Sequence, residues 1–276
     1  MKIALGPAGI PMSAKGMTTS ESIYKLSSLD LNAMEISFTH GVYMSPKNAN
    51  LARKASEETD VSLSIHAPYF INLASEERKI VEDSKKRILD SLRIGNILNA
   101  KVVVVHAGYY GKDQTVSGKK ILESCQYISE IIEKESIVTK LAVETMGKQK
   151  SWGTLKEVVE ASKKIKNVVP CIDFSHIYAR NGGSINFKEI FDALENLKVE
   201  GYHSHLSGIV YTLKKIGAGN EKKHVPLKEA GPDYISLAKE IMSRKSNMTI
   251  ISESPILEMD SLLMKSVFES LGVRFS

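Results

Sequence analysis

Strand-like and helix-like runs alternate along this chain from end to end. No other feature of the sequence limits the possible folds as much. Strand-like runs occur at 2–6 (KIALG), 33–38 (AMEISF), 61–66 (VSLSIH), 101–106 (KVVVVH), 140–144 (KLAVE), 168–173 (VVPCID), 201–206 (GYHSHL) and 248–253 (MTIISE). Helical patterns lie between them, at 45–58, 74–98, 119–135, 154–165, 186–197, 233–245 and 260–272. Such alternation predicts an α/β fold with a parallel sheet, because a parallel connection needs a crossover as long as a helix. KVVVV is unbroken rather than alternating, as expected of a strand buried on both faces. Eight such units with no linker predict one (β/α)₈ barrel domain spanning 1–276. A doubly wound sheet is the alternative; it normally has a glycine-rich first turn, and GPAG at 6–9 is not GxGxxG. Thr154 and Glu157 have capping-box spacing, Asp260 is the expected N-cap of the last helix, and Gly272 its expected stop. The longest irregular stretch is 207–230, and loops of that length are functional or mobile.

A chain of 276 residues can bury a sizeable core without staples. Hydrophobic residues make up 42% and charged residues 25%, as in an ordinary soluble globular protein. Cys125 and Cys171 lack CxxC spacing, so neither a disulfide framework nor a thiolate zinc site is expected. That favours a reducing compartment, the cytoplasm. The apolar run at the N-terminus is broken by glycine and proline, too short for a signal sequence or membrane span. The net charge of +5 suits a polyanionic partner without requiring one.

In a barrel, chemistry collects at the C-terminal ends of the strands. Read in order, those ends carry His66, His106, Glu144, Asp173, His205 and Glu253. His176 and His224 follow in the loops. A single strand-end histidine is ordinarily a hydrogen-bonded rim residue. Glu144 alone would read as a rim acid, and Asp173 as a helix cap. When the third to eighth strands each end on such a residue, coincidence is a poor account. Burying several carboxylates together costs several kcal/mol per charge unless cations offset it. Imidazole plus carboxylate without thiolate selects zinc, manganese or iron over calcium. The ligands outnumber what one ion needs, so two or three ions are expected, and such sites serve in-line displacement at phosphorus.

The ordered segments HAPYFINLAS (66–75), VVVHAG (103–108), AVET (142–145), CIDFSHIYAR (171–180), SHLSG (204–208), HVPLKEAG (224–231) and SESP (252–255) resemble those of the endonuclease IV family. These are metal-dependent apurinic/apyrimidinic endonucleases on a TIM barrel, and the resemblance covers nearly the whole chain. It implies a zinc enzyme, with manganese as a possible substitute, that cuts duplex DNA 5′ to an abasic site in base excision repair, acting as a monomer. It implies that His66 and His106 hold a first ion, with Glu144 bridging to a second completed by Asp173, His205 and Glu253. Glu144 would position both ions and Glu253 would orient the nucleophile. A third ion would rest on His176, His224 and an aspartate two residues before His224. That position is Lys222 here, which departs from the family pattern. Either Glu221 swings in, or water fills the place, or the third ion is weak or absent, with Lys222 standing in for part of its charge. The resemblance further implies that Tyr69 and Phe70 enter the duplex at the lesion, where no base has to be unstacked; otherwise they pack under their loop.

Tyr109, Lys148, Lys150, Arg180, Lys214 and Lys215 are candidate phosphate contacts, or else simply solvated. His203 shares a strand face with His205 and is expected to be structural; His40 is expected to be exposed. The chief rival is a sugar isomerase or epimerase on the same barrel, which resembles this chain in Glu144, Asp173, His205 and Glu253 alone and needs a single ion. A binding protein that has lost catalysis is a third reading, which metal content would separate from both enzymes.

Overall fold

The computed structural model describes residues 1–197 and 199–275. Eight parallel strands form one sheet: β1 (Ile3–Pro7), β2 (Ala33–Ser37), β3 (Ser62–His66), β4 (Val102–Val105), β5 (Lys140–Glu144), β6 (Val168–Asp173), β7 (Tyr202–Leu206) and β10 (Met248–Ser252). Their spatial order is β1-β10-β7-β6-β5-β4-β3-β2. The two ends of that list meet. Asn32 N donates to Leu5 O at 3.2 Å, and Gly9 N donates to Glu35 O at 2.7 Å. A parallel bridge joins Ala8 to Glu35, so the sheet curls into a nearly closed barrel. Gly6 makes this seam possible, since a Cβ there would fall 1.7 Å from the Ala33 carbonyl oxygen.

Strand periodicity sorts the core into two layers. Val103 and Val105 pack in the large cluster between sheet and helices, while Val102 and Val104 join Ala142 and Cys171 in a small separate one. Alternate residues of one strand thus serve opposite faces, the reason KVVVV has no polar break. The outer ring consists of α1 (Thr19–Ser27), α2 (Pro46–Thr59), α3 (Arg78–Leu98), α4 (Gln114–Lys134), α5 (Leu155–Lys164), α6 (Phe174–Arg180), α7 (Phe187–Leu194), α8 (Tyr234–Arg244) and α9 (Glu258–Ser270). The capping box of Thr154 and Glu157 opens α5. Among the described residues no helix is long and apolar enough to cross a membrane.

The elements depart from the sequence expectations in four places. Helix α1 was not anticipated, although Thr18 and Glu21 form a full capping box at its start. Helix α6 was hidden because its seven residues are fewer than a periodic signal needs. Asp260 does not cap α9. It lies inside the first turn, and its carboxylate accepts the Leu227 N–H at 2.8 Å, tying α9 to the segment that leads from residue 225 into α8. Most of the stretch expected to be irregular is an antiparallel hairpin, β8 (Gly208–Lys215) and β9 (Ala218–Val225), packed on α6.

Candidate metal centre

The side chains that end the barrel strands converge on Glu144. Its carboxylate is fully buried at the end of β5. Oε2 lies 2.9 Å from His106 Nε2 and 3.4 Å from His66 Nε2. Oε1 lies 3.2 Å from both His205 Nδ1 and His176 Nδ1. His66 closes β3, His205 lies in β7, His106 follows β4 directly, and His176 sits in α6. Asp173 ends β6 and divides its two oxygens. Oδ1 caps α6 by accepting His176 N–H at 2.7 Å, while Oδ2 turns inward, 3.2 Å from His176 Nδ1. Glu253 follows β10 at the rim, its Oε1 3.4 Å from His205 Nδ1 and 18% of its side chain exposed. His224, in β9, completes the set from above, its ring centroid 5.5 Å from that of His176.

Backbone and hydroxyl partners fix which nitrogen His66, His176 and His224 present. His66 Nδ1 lies 2.8 Å from the Ala67 carbonyl oxygen, so its proton belongs there and Nε2 faces Glu144. The charges hold one another in place. Burial pushes the Glu144 carboxyl up, but His106 and His205 outweigh it and hold it well below the usual carboxylate range. Burial pushes Asp173 up to about 6. Burial would lower His66, yet the Glu144 carboxylate beside it raises it to about 9.

Three polar atoms in this centre are buried without a hydrogen-bond partner: His66 Nε2, Glu144 Oε2 and Asp173 Oδ2. Orphaned donors and acceptors this close together call for an explanation, and a bound cation is the simplest. The donor atoms of His66, His106 and Glu144 lie within 4.8 Å of one another. The same holds for Glu144, Asp173, His176 and Glu253, and for His176, His224 and Glu253. Imidazole nitrogen and carboxylate oxygen at these separations fit divalent ions such as zinc. Cys171 lies by His203 and His205, but burial pushes its thiol up, which disfavours the thiolate a metal needs.

Sequence reasoning missed Glu35. It lies in β2, fully buried, and binds the histidines of β7 from below. Oε2 accepts from Ser64 Oγ at 3.0 Å and lies 2.9 Å from His203 Nε2. Oε1 lies 3.0 Å from His205 Nε2. A carboxylate behind a ligating imidazole fixes its tautomer and aims the other nitrogen forward. The available signal was a glutamate inside the apolar run AMEIS, a place where an unpaired charge would be costly.

Around the mouth, Tyr69 and Phe70 are 54% and 63% exposed. The Tyr69 ring lies 5.6 Å from His66, and Phe70 is 6.3 Å from exposed His40. Lys150 lies over the Tyr109 ring at 5.3 Å. Arg180 lies half-buried beside the 146–151 loop. Its guanidinium donates to the carbonyls of Met146, Lys148 and Ser151 and so ties the 146–151 loop together. Lys148 is engaged as well, 3.2 Å from Glu221. Lys222 is exposed and Lys214 and Lys215 stand on the outer part of the hairpin, also exposed.

An uncharacterized protein of Methanocaldococcus jannaschii is 35% identical over 278 residues, 98% of this chain and 98% of that protein. A protein named probable endonuclease 4 from Streptomyces coelicolor is 29% identical over 143 residues, 49% of this chain and 48% of its own. Among solved structures, a D-tagatose 3-epimerase-like protein superposes with a TM-score of 0.75 at 21% identity, over 98% of this chain and 96% of that one. Endonuclease IV from Thermus thermophilus superposes with a TM-score of 0.72 at 20% identity, over 98% of both chains. At such identities the superpositions show a shared fold. The sequence pattern of one family spans residues 23–262, and by it this chain belongs to the xylose isomerase-like TIM barrel family.

Proposed function

We propose that this protein is a metal-dependent apurinic/apyrimidinic endonuclease of base excision repair. It would hydrolyse the phosphodiester 5′ to an abasic site in duplex DNA, as a cytoplasmic monomer with zinc as its ion and manganese as the substitute. One observation carries the reading. Glu144 stands between two histidine pairs, His66 and His106 on one oxygen and His176 and His205 on the other. A single-ion sugar enzyme needs Glu144, Asp173, His205 and Glu253, and has no use for the donors of His66, His106, His176 and His224.

Bound divalent ions here would lower the pKa of a water and neutralise the charge that develops at phosphorus. The chain's own groups supply the rest. Glu144, buried and anionic, sets the spacing of the two donor groups that share it. Glu253 reaches the rim with part of its side chain exposed, and would orient an attacking water and take its proton. Tyr69 and Phe70 offer an exposed aromatic wedge beside His66, where a duplex lacking one base opens at least cost. Lys150 adds positive charge on the same lip.

The test is a labelled duplex with one abasic-site analogue, incubated with and without chelator. The expected result is a single cut that chelator abolishes and that Glu144→Gln slows by at least about a thousandfold, given its place between the donor groups. An intact duplex from protein that carries its metal would overturn the reading and favour the sugar isomerase or epimerase.

A further inference from the structure

Strand β9 does not alternate regularly. Ile209 pairs with His224 and Val210 with Lys223, but Tyr211 pairs with Glu221. Lys222 is therefore the extra residue of a β-bulge. In a regular strand Lys222 would share a face with His224, and Glu221 would point the other way. The bulge shifts that parity. Lys222 is exposed, while the Glu221 side chain is only 14% exposed and its Oε2 is buried with no hydrogen-bond partner.

That oxygen lies 3.1 Å from His176 Nε2. His176 Nδ1 lies 3.0 Å from the Thr145 carbonyl oxygen, which leaves Nε2 as the nitrogen that faces Glu221. His224 is held in the same manner, its Nδ1 2.6 Å from Ser207 Oγ. A cation held between His176 Nε2 and the orphaned Glu221 oxygen would satisfy both. Ligands at ~2.0 Å in tetrahedral array stand roughly 3.3 Å apart, close to the separation seen. The surroundings are shaped for this contact. A Cβ on residue 147 would fall 2.1 Å from Glu221 Oε2 and 3.0 Å from His176 Cδ2, so Gly147 leaves the room. Glu221 N donates to Gly147 O at 3.1 Å, and Lys148 Nζ holds the other carboxylate oxygen at 3.2 Å.

We propose that Glu221 is the carboxylate ligand of a cation site shared with His176 and His224, delivered by the bulge at Lys222. The proposal rests on reading this mouth as a metal centre and is independent of what the enzyme cuts. Lysine at the place where the resembling family has aspartate then removes no ligand, because the bulge turns its neighbour inward.

Zinc can be counted by native mass spectrometry on intact protein, stripped with chelator and reloaded, with no DNA present. Glu221→Gln is expected to carry one zinc fewer than wild type, with the other ions retained as a control for folding. Gly147→Ala should lose the same ion with Glu221 still in the chain. Lys222→Ala should keep the wild-type count, since that side chain faces solvent. A wild-type count in Glu221→Gln, or a lost ion in Lys222→Ala, would overturn the proposal. Failure to cut an abasic duplex would leave these counts unchanged and bear only on the nuclease.

Discussion

His66 meets Glu144 inside the barrel mouth, and in the metal-free protein that pairing makes the histidine a proton store. Its pKa rises from 6.5 to about 9. A group whose folded pKa is raised stabilises the fold fully below its unfolded pKa and loses that contribution as pH climbs through the folded value. For the chelator-stripped protein, wild type should therefore exceed His66→Gln in stability most at pH 6.5 and below. The gap should close by about pH 9, an effect of roughly 3 kcal/mol at most. Thermal melts of the two stripped proteins across that window give the answer, and a gap that widens with pH would contradict the pairing. Zinc uptake must expel the same proton, so affinity should rise over the same window. At this scale the strand-end donors were legible, because barrels put chemistry at strand ends. Glu35 was not, since a glutamate in mid-strand acquires meaning only when β7 brings His203 and His205 against it. Glu221 was one of several open possibilities. Which way it points depends on a bulge, and a bulge leaves no mark in residue order.

The barrel closes through the contact of β1 with β2, the two ends of the strand order. That seam has few hydrogen bonds and one steric condition, Gly6. Gly6→Ala would drive a methyl into the Ala33 carbonyl, a backbone atom that cannot swing aside. The expected cost is about 3 kcal/mol, read as a lower denaturant midpoint at unchanged slope. A neutral result would mean that the seam opens and recloses freely. Elements of this barrel were legible in proportion to their length and period. The eight strands and the longer helices repeat a pattern, and tertiary packing agrees with it. The seven residues of α6 hold less than two turns' worth of period, and Asp173, Phe174 and His176 read as site motif rather than helix. The hairpin was obscured differently. Ile209, Tyr211 and Leu213 alternate as a strand should, but the lysines and glycines around them suggested a loop, and the bulge breaks the alternation of the partner strand.

At the scale of the whole molecule, the proposed nucleic-acid contacts gather around the barrel mouth. The candidate ion sites, the exposed Tyr69 and Phe70, and the Tyr109–Lys150 pair surround the mouth, and the hairpin above it ends in exposed Lys214 and Lys215. The net charge of +5 is modest, so local placement has to do the electrostatic steering. If the proposed substrate is right, binding to an abasic duplex must weaken with salt, by about 0.9 in logarithmic slope per phosphate neutralised. Replacing both Lys214 and Lys215 with glutamine should then flatten the slope by about 2 while leaving the zinc count of the protein intact. Arg180→Lys makes the opposite prediction, because its guanidinium already serves the 146–151 loop. It should lower thermal stability and leave the salt slope as it was. Fluorescence anisotropy of a labelled abasic duplex, titrated at several salt concentrations with magnesium absent, measures both. An unchanged slope in the double lysine variant would remove the hairpin from the DNA face. A flattened slope in the arginine variant would mean that the loop opens on binding and releases Arg180 to the backbone.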